Sequence, residues 1–449
     1  MRTDRVNAVD AAPNRLESSA MDESLATEPP PPGLEAPRRI DSIDALRGFV
    51  MFAMIFVNDL SGAGSQVPDW LVHYSDRHPE GSSGLTFVDL VFPAFLFVMG
   101  MSIPFAFTSR WSRGERLWTT VFHVLVRTLS LLAIGILMVN DESPARPISG
   151  WSPTLWAACL YPAATLAFGS WLAPKGAEGL STKICRWVTI GLRLLGMAAL
   201  VVLAWNFRGA KGVRIVTLAP FSIHTDWYGI LGLIGWAYLV ASLVFLLFRG
   251  HRTALLGVTT LLYGLYIADR SGTFEGLTVA KYVSIGETLG SQAAIATTGL
   301  LLAATLGASG LPSALSRLNF AAWLMVWCAI GAFLLEKAYG ISKNDATPSW
   351  CLLACVSTIA LWLIFHWLAD VGPWKILAKP WSLAGQNVLL AYLLSEWWPS
   401  LAEVCHLGRW YDGLAAPSLT AALIRAASCA LVIQLLSVGI NRAGFKVRL

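Results

Sequence analysis

The strongest constraint in this sequence is a run of about twenty apolar residues that recurs, with short polar breaks, from about residue 40 onward. The runs cover residues 44–61, 86–108, 117–139, 153–173, 187–206, 229–248, 253–268, 289–308, 319–338, 350–369, 385–402 and 417–438. A hydrocarbon core of roughly 30 Å is crossed by about 20 helical residues. In lipid only helices or closed barrels satisfy their own backbone, and uninterrupted runs of this length lack a barrel strand's period of two. The expected fold class is therefore an all-α, polytopic transmembrane helix bundle of about 11–12 spans, the 253–268 run being short enough to tilt or re-enter.

Composition agrees. Of 449 residues, 55% are hydrophobic and only 14% charged, outside the range of soluble domains. The 20 tryptophans suit membrane interfaces, where an indole has one apolar and one wet edge. A net charge of +5 without a basic block interleaved with aromatics argues against nucleic acid as a partner. Six of the seven cysteines lie in or beside apolar runs, and the nearest approach to a ligand pair, Cys351 and Cys355, reads as helix packing. No metal is expected.

Residues 1–38 form a separate region. They mix charges, lack an apolar run and hold four consecutive prolines at 29–32, so a disordered tail is expected ahead of a membrane domain at 39–449. No apolar stretch follows the early arginines, which speaks against a signal peptide. If the tail is cytoplasmic, fourteen Lys and Arg fall in inner loops against nine in outer ones, placing the loop after the first span outside.

Chemistry concentrates in the hairpin of residues 43–104, where ionisable groups at the edges of apolar segments need a partner, water or a function. The loop between its spans carries His73 and His78, and a near-neutral imidazole suits a general base acting on an amine or hydroxyl. Solvated loop histidines are the plainer alternative. Asn58 and Asp59 end the first span, either as a polar helix stop or as groups that orient the base or donate to an oxyanion. Asp89 lies about a turn into an apolar helix and requires a partner such as Arg127, Arg47 or the substrate. Arg127 could equally bind a cofactor's phosphates entering from the basic 110–116 loop. Gly229, Gly232 and Gly235 are spaced for close helix packing. Lys337, Lys343, Asn344 and Asp345 lie at or between two later spans. Gln386 and Asn387 open a helix that carries Glu396, a second carboxylate in need of a partner.

Five stretches in order, RRIDSIDALRGFVMFAMIFVND, GLTFVDLVFPAFLFVMGMSIPFAF, WYGILGLIGWAYLVA, ISKNDATPSW and AGQNVLLAYLLSE, resemble the heparan-α-glucosaminide N-acetyltransferase family in its bacterial branch. The likeness runs from about residue 38 to 400. It implies a helical bundle of about ten or eleven spans and acetyl transfer from acetyl-CoA to the amine of a terminal glucosamine. It also implies a loop histidine as base or acyl acceptor, and matches Asn58 to the family's Asn at the end of the first helix. The family's HAxWxG context is replaced here by HYSDRHPEGSSG, which offers two histidines, His73 ranking ahead of His78, and leaves the acceptor open.

The expected catalytic residues are His73, His78, Asn58, Asp59 and Asp89, with Asp44, Arg47, Arg127 and Asn387 binding the cofactor. In the expected reaction acetyl-CoA enters beside the 110–116 loop and a histidine takes the acceptor's proton. Asn58 stabilises the oxyanion, and Asp44 or Asp89 holds the imidazole's tautomer. The expected partners are acyl-CoA, a sugar acceptor, membrane lipid and a second copy of the chain in a homodimer; the expected location is a bacterial cytoplasmic membrane. A proton-coupled transporter is the alternative, and it predicts an internal repeat that the two halves of the chain lack.

Overall fold

The computed structural model describes residues 40–64, 67–142, 152–172, 180–208, 214–218, 221–223, 227–306, 310–311 and 313–447. The expected tail at 1–38 lies outside these residues. Each of the twelve apolar runs contributes a helix. In chain order these are α1 (Asp41–Ser61), the short loop helix α2 (Tyr74–Arg77), α3 (Val91–Trp111), α4 (Leu117–Glu142), α5 (Pro153–Ala167), α6 (Leu180–Asn206), α7 (Gly229–Phe248) and α8 (Arg252–Arg270). After them come α9 (Ala293–Ala303), α10 (Ala314–Tyr339), α11 (Pro348–His366), α12 (Lys375–Ala384), α13 (Val388–Val404), the short α14 (Gly408–Gly413) and α15 (Leu419–Arg442). A 3-10 turn, Val88–Leu90, leads into α3; a π-helical stretch, Ile285–Gln292, leads into α9 and another, Trp367–Val371, extends α11. Among the described residues, seven helices are long and apolar enough to cross a bilayer. The protein is a multi-pass membrane protein with an all-α bundle.

α1 runs opposite to α11 and α15, and α13 opposite to α15, as contacts between their ends establish. Ser42, at the start of α1, donates its amide to Asp370 beyond α11, while Asp59, at the end of α1, meets Arg425 near the start of α15. Gln386 before α13 meets Asn441 at the end of α15. The molecule thus has an end marked by Asp44 and an end marked by Asp59. The 253–268 run is a helix of 19 residues, Arg252–Arg270.

Close backbone approach organises the interior. Added methyl groups at Gly100 of α3 and Gly299 of α9 would strike the carbonyls of Ala296 and Phe97, so the two helices cross with main chains in contact. α4 and α7 meet the same way: a methyl at Gly135 would strike the Tyr228 carbonyl and Gly232, as the spacing of small residues in α7 predicts. α1 packs on α12, where Gly48 faces the Trp381 carbonyl and Gly385 that of Asp44. The most apolar stretch of α3 is 72% buried, but those of α6 and α10 only 17% and 22%, so α3 is an inner helix and α6 and α10 present their side chains to lipid. Two small strand pairings complete the fold: β1 (Gly169–Trp171) with β4 (Phe445–Val447), and β2 (Val216–Leu218) with β3 (Phe221–Ile223), both antiparallel.

Candidate active site

The loop after α1 is pinned before any chemistry is asked of it. Val67, Leu71 and Val72 pack with Leu60 against Ala415, Ala422 and Ala426, so the chain leaves α1 along α15. His73 then occupies the extended position just ahead of α2. Asp89, 2% exposed, sits in the turn that opens α3 and gathers this loop onto itself. Its Oδ2 accepts from the Tyr74 amide (3.1 Å) and the Thr86 amide (3.0 Å), while the Thr86 hydroxyl, 3.2 Å away, donates to the closer Val72 carbonyl (2.6 Å). Its Oδ1 lies 2.7 Å from His73 Nδ1. With two backbone amides donating to Oδ2, Oδ1 is left to accept from the imidazole, so Nδ1–H donates to it and the Nε2 lone pair is the basic one; the network assigns this tautomer.

Lys343, from the loop between α10 and α11, completes the cluster. Its Nζ is 3.1 Å from His73 Nδ1 and 3.2 Å from Nε2. The loop is fastened to the first hairpin, since Gly84 N donates to Ile341 O (2.9 Å) and Ile341 N to Ser83 Oγ (2.8 Å). Asp345 accepts from the Ser342 hydroxyl and meets Arg270, which also pairs with Glu287 at 3.0 Å. Burial pushes the Lys343 ammonium below its ordinary 10.5, against the upward pull of Asp89 and Asp76. The sequence places Lys343 in a polar loop some 270 residues from His73, and nothing in that spacing signals their contact.

The other expected residues divide into groups. His78 stacks on the Tyr74 ring at 3.8 Å and its Nδ1 lies 3.0 Å from the Tyr74 carbonyl, an arrangement of the loop helix with itself. Asp59 is tied up: Arg425 Nε donates to Oδ2 (3.0 Å), Tyr411 donates to Oδ1 (2.6 Å), and Arg425 Nη2 reaches the Asp59 carbonyl (2.7 Å). These contacts join α1 to α14 and α15. The Asp89 partner suggested by the sequence, Arg127, Arg47 or the substrate, is replaced by the His73 imidazole and the amides of Tyr74 and Thr86. Both arginines lie toward the Asp44 end of the molecule, too far down the bundle to reach α3's opening turn.

Asp44, Arg47, Arg127 and Asn387 all line one cavity of about 650 Å³. Arg47 Nη1 pairs with Asp44 (3.1 Å) and reaches the Gly385 carbonyl (3.3 Å), and Nη2 meets the Ser102 hydroxyl. The Arg127 guanidinium lies 4.6 Å over the Tyr238 ring, and its buried Nε has no hydrogen-bond partner in the protein. Asn387 lines the cavity, but its amide is committed to β4, accepting from Val447 N (3.2 Å) and donating to Phe445 O (3.4 Å). A second cavity, about 270 Å³, is lined by Asn58 and Glu396, whose carboxylate accepts from the Asn58 amide at 3.3 Å. Ile230, Leu231 and Tyr392 line both. One face of α1 runs along the pair: Asp44, Arg47, Met51 and Met54 in the first cavity and Asn58 in the second, at steps of three and four residues. That face climbs about 21 Å at 1.5 Å per residue. His73 and Asp89 line neither cavity and lie in the loop beyond Asn58.

Comparison with known proteins agrees with the sequence resemblance. A family described as a domain of unknown function (DUF5009) matches residues 39–145, which hold α1, the His73 loop and α3. Human heparan-α-glucosaminide N-acetyltransferase is 35% identical over 113 residues, 25% of this chain and 16% of the human one. The mouse protein is 31% identical over 148 residues, 33% of this chain and 20% of its own length. Over that part the chain is similar to heparan-α-glucosaminide N-acetyltransferase. It thus spans about a fifth or less of the length of the curated relatives it matches.

Proposed function

We propose that the protein is an integral-membrane acetyltransferase that moves an acetyl group from acetyl-CoA to an amine or hydroxyl of a sugar acceptor, with His73 as the base. The observation that carries this reading is the His73–Asp89 pair at the end of a hairpin whose first helix lines two adjacent cavities, the farther one holding the half-buried Arg47 and Arg127. The first cavity suits the donor. Arg127 offers an unpartnered buried N–H and, with Arg47 and Arg110, gives the cation density that phosphates require. Acetyl-CoA is made in the cytoplasm, so the Asp44 end faces inward and the His73 loop outward. The second cavity, with Asn58 and Glu396, suits the acceptor's polar groups.

Asp89 holds the imidazole with Nδ1 protonated, so that Nε2 takes the proton from the attacking amine or hydroxyl and returns it to the departing thiolate. Asp59 braces α1 and takes no part in chemistry.

The test is acetyl transfer to glucosamine in proteoliposomes. His73→Ala lowers kcat by about 10²- to 10⁴-fold, the usual contribution of a positioned base, while His78→Ala stays near wild type. Acetyl-CoA also raises the melting temperature, by the equivalent of about 2.7 kcal/mol at a hundred times its Kd. Full activity in His73→Ala, or a melting temperature indifferent to acetyl-CoA, overturns the reading.

A further inference from the structure

We propose that Lys343 is a catalytic residue of this centre, its ammonium binding the acyl carbonyl oxygen while that oxygen carries negative charge. The inference rests on the reading of His73 as the base. Nearly equal distances from Nζ to the two ring nitrogens, 3.1 and 3.2 Å, put the ammonium midway between them and off the axis of the Nε2 lone pair. The lone pair stays open to an acceptor. A nucleophile hydrogen-bonded to Nε2 sits about 3 Å from it, and the carbonyl under attack then falls within reach of an ammonium poised beside the same nitrogen.

The expected oxyanion donor, Asn58, is less well placed. Its amide donates to Glu396 in the second cavity, and among the described residues no hydrogen bond joins it to His73 or Asp89. Lys343 is also held in advance of reaction, because its loop is stitched to Ser83 and Gly84 on one side and to Arg270 through Asp345 on the other. A charge fixed before the transition state forms costs no reorganisation when it forms. Burial works against this ammonium and the neighbouring carboxylates Asp89 and Asp76 work for it. A developing oxyanion in contact supplies further compensation.

The steps balance without any proton leaving Lys343. The acceptor's nitrogen or oxygen attacks the thioester carbon and forms the new bond, the π pair moves to oxygen against Nζ, and Nε2 takes the acceptor's proton. The C–S bond then breaks with its electron pair on sulfur, the carbonyl re-forms, and the thiolate receives the proton from the imidazolium.

Lys343→Met removes the charge and keeps most of the side-chain volume. With acetyl-CoA and glucosamine as probes, kcat should fall by about 10²- to 10³-fold, as for loss of one oxyanion donor, with the KM for acetyl-CoA unchanged. Lys343→Arg should retain more activity. It should also change the pH profile: the wild type loses rate at alkaline pH as Lys343 gives up its proton below 10.5, whereas a guanidinium stays charged and keeps the rate there. His73→Ala inactive with Lys343→Met within twofold of wild type overturns this inference and leaves the acetyltransferase reading standing; His73→Ala fully active overturns both. Should Lys343→Met fail to fold, Lys343→Cys alkylated with 2-bromoethylamine rebuilds the ammonium. Recovery of rate supports the role and failure to recover overturns it.

Discussion

At the scale of single residues, Asp89 does the most. A carboxylate that is 2% exposed near the lipid boundary is tolerated because one oxygen takes two backbone amides from the preceding loop, and the other takes the imidazole. The same contacts that satisfy it select the His73 tautomer. Asp89→Asn therefore separates two effects. An amide nitrogen must face either the donors of Tyr74 and Thr86 or His73 Nδ1, so stability drops by about 1–3 kcal/mol. The imidazole loses its acceptor and turns to the wrong tautomer, which lowers kcat by about 10²- to 10⁴-fold. Thermal unfolding reads the first and acetyl transfer the second; a variant that unfolds normally and transfers at the wild-type rate removes Asp89 from the mechanism. The sequence already marks Asp89 as needing a partner, since a lone carboxylate in TFVDLVFPAF is costly. It names the wrong partner, because an ion pair is the default for a buried charge and fold-distant residues are invisible along the chain.

At the scale of elements, the joints between helices show what some conspicuous polar groups hold together. Asp59 looks like half of an active-site pair with Asn58, yet it accepts from Arg425 and Tyr411 and clamps the end of α1 to α14 and α15. Arg425 is nearly buried and its guanidinium lies 4.8 Å over the Tyr411 ring. Burial together with the Asp59 carboxylate pushes the Tyr411 phenol well above its usual range, which keeps it a donor. Breaking one side of such a pair strands the other charge, so Arg425→Met should lower stability by about 3–5 kcal/mol. Adding Asp59→Asn should restore part of that loss, because the orphaned carboxylate is gone. The check is a double-mutant cycle by thermal unfolding in detergent; strict additivity would dissolve the clamp.

For the whole molecule, the decisive feature is the path along α1. Two cavities share Ile230, Leu231 and Tyr392 in their linings, so a donor entering at Arg127 on its way toward the His73 loop has to pass these side chains. Leu231→Trp should fill the space there. It should lower kcat for acetyl transfer by at least about tenfold, roughly 1.4 kcal/mol of barrier, while acetyl-CoA still raises the melting temperature. Unchanged turnover would show that the donor takes another route. The bundle itself was legible from residues alone, because lipid leaves the backbone few solutions and each apolar run of sufficient length declares a helix. The His73 loop and the arginines at the opposite end were legible for a related reason: polar groups stand out against an apolar background and carry a cost that demands an explanation. What only the tertiary structure decided was pairing. Whether Asp59 braces or reacts, whether Asp89 meets a guanidinium or an imidazole, and that Lys343 crosses 270 residues to reach His73 are questions of which helix ends meet. Hydropathy specifies where helices lie along the chain, but their partners follow from main-chain contacts at glycines such as Gly100 and Gly299, which no one-dimensional pattern encodes.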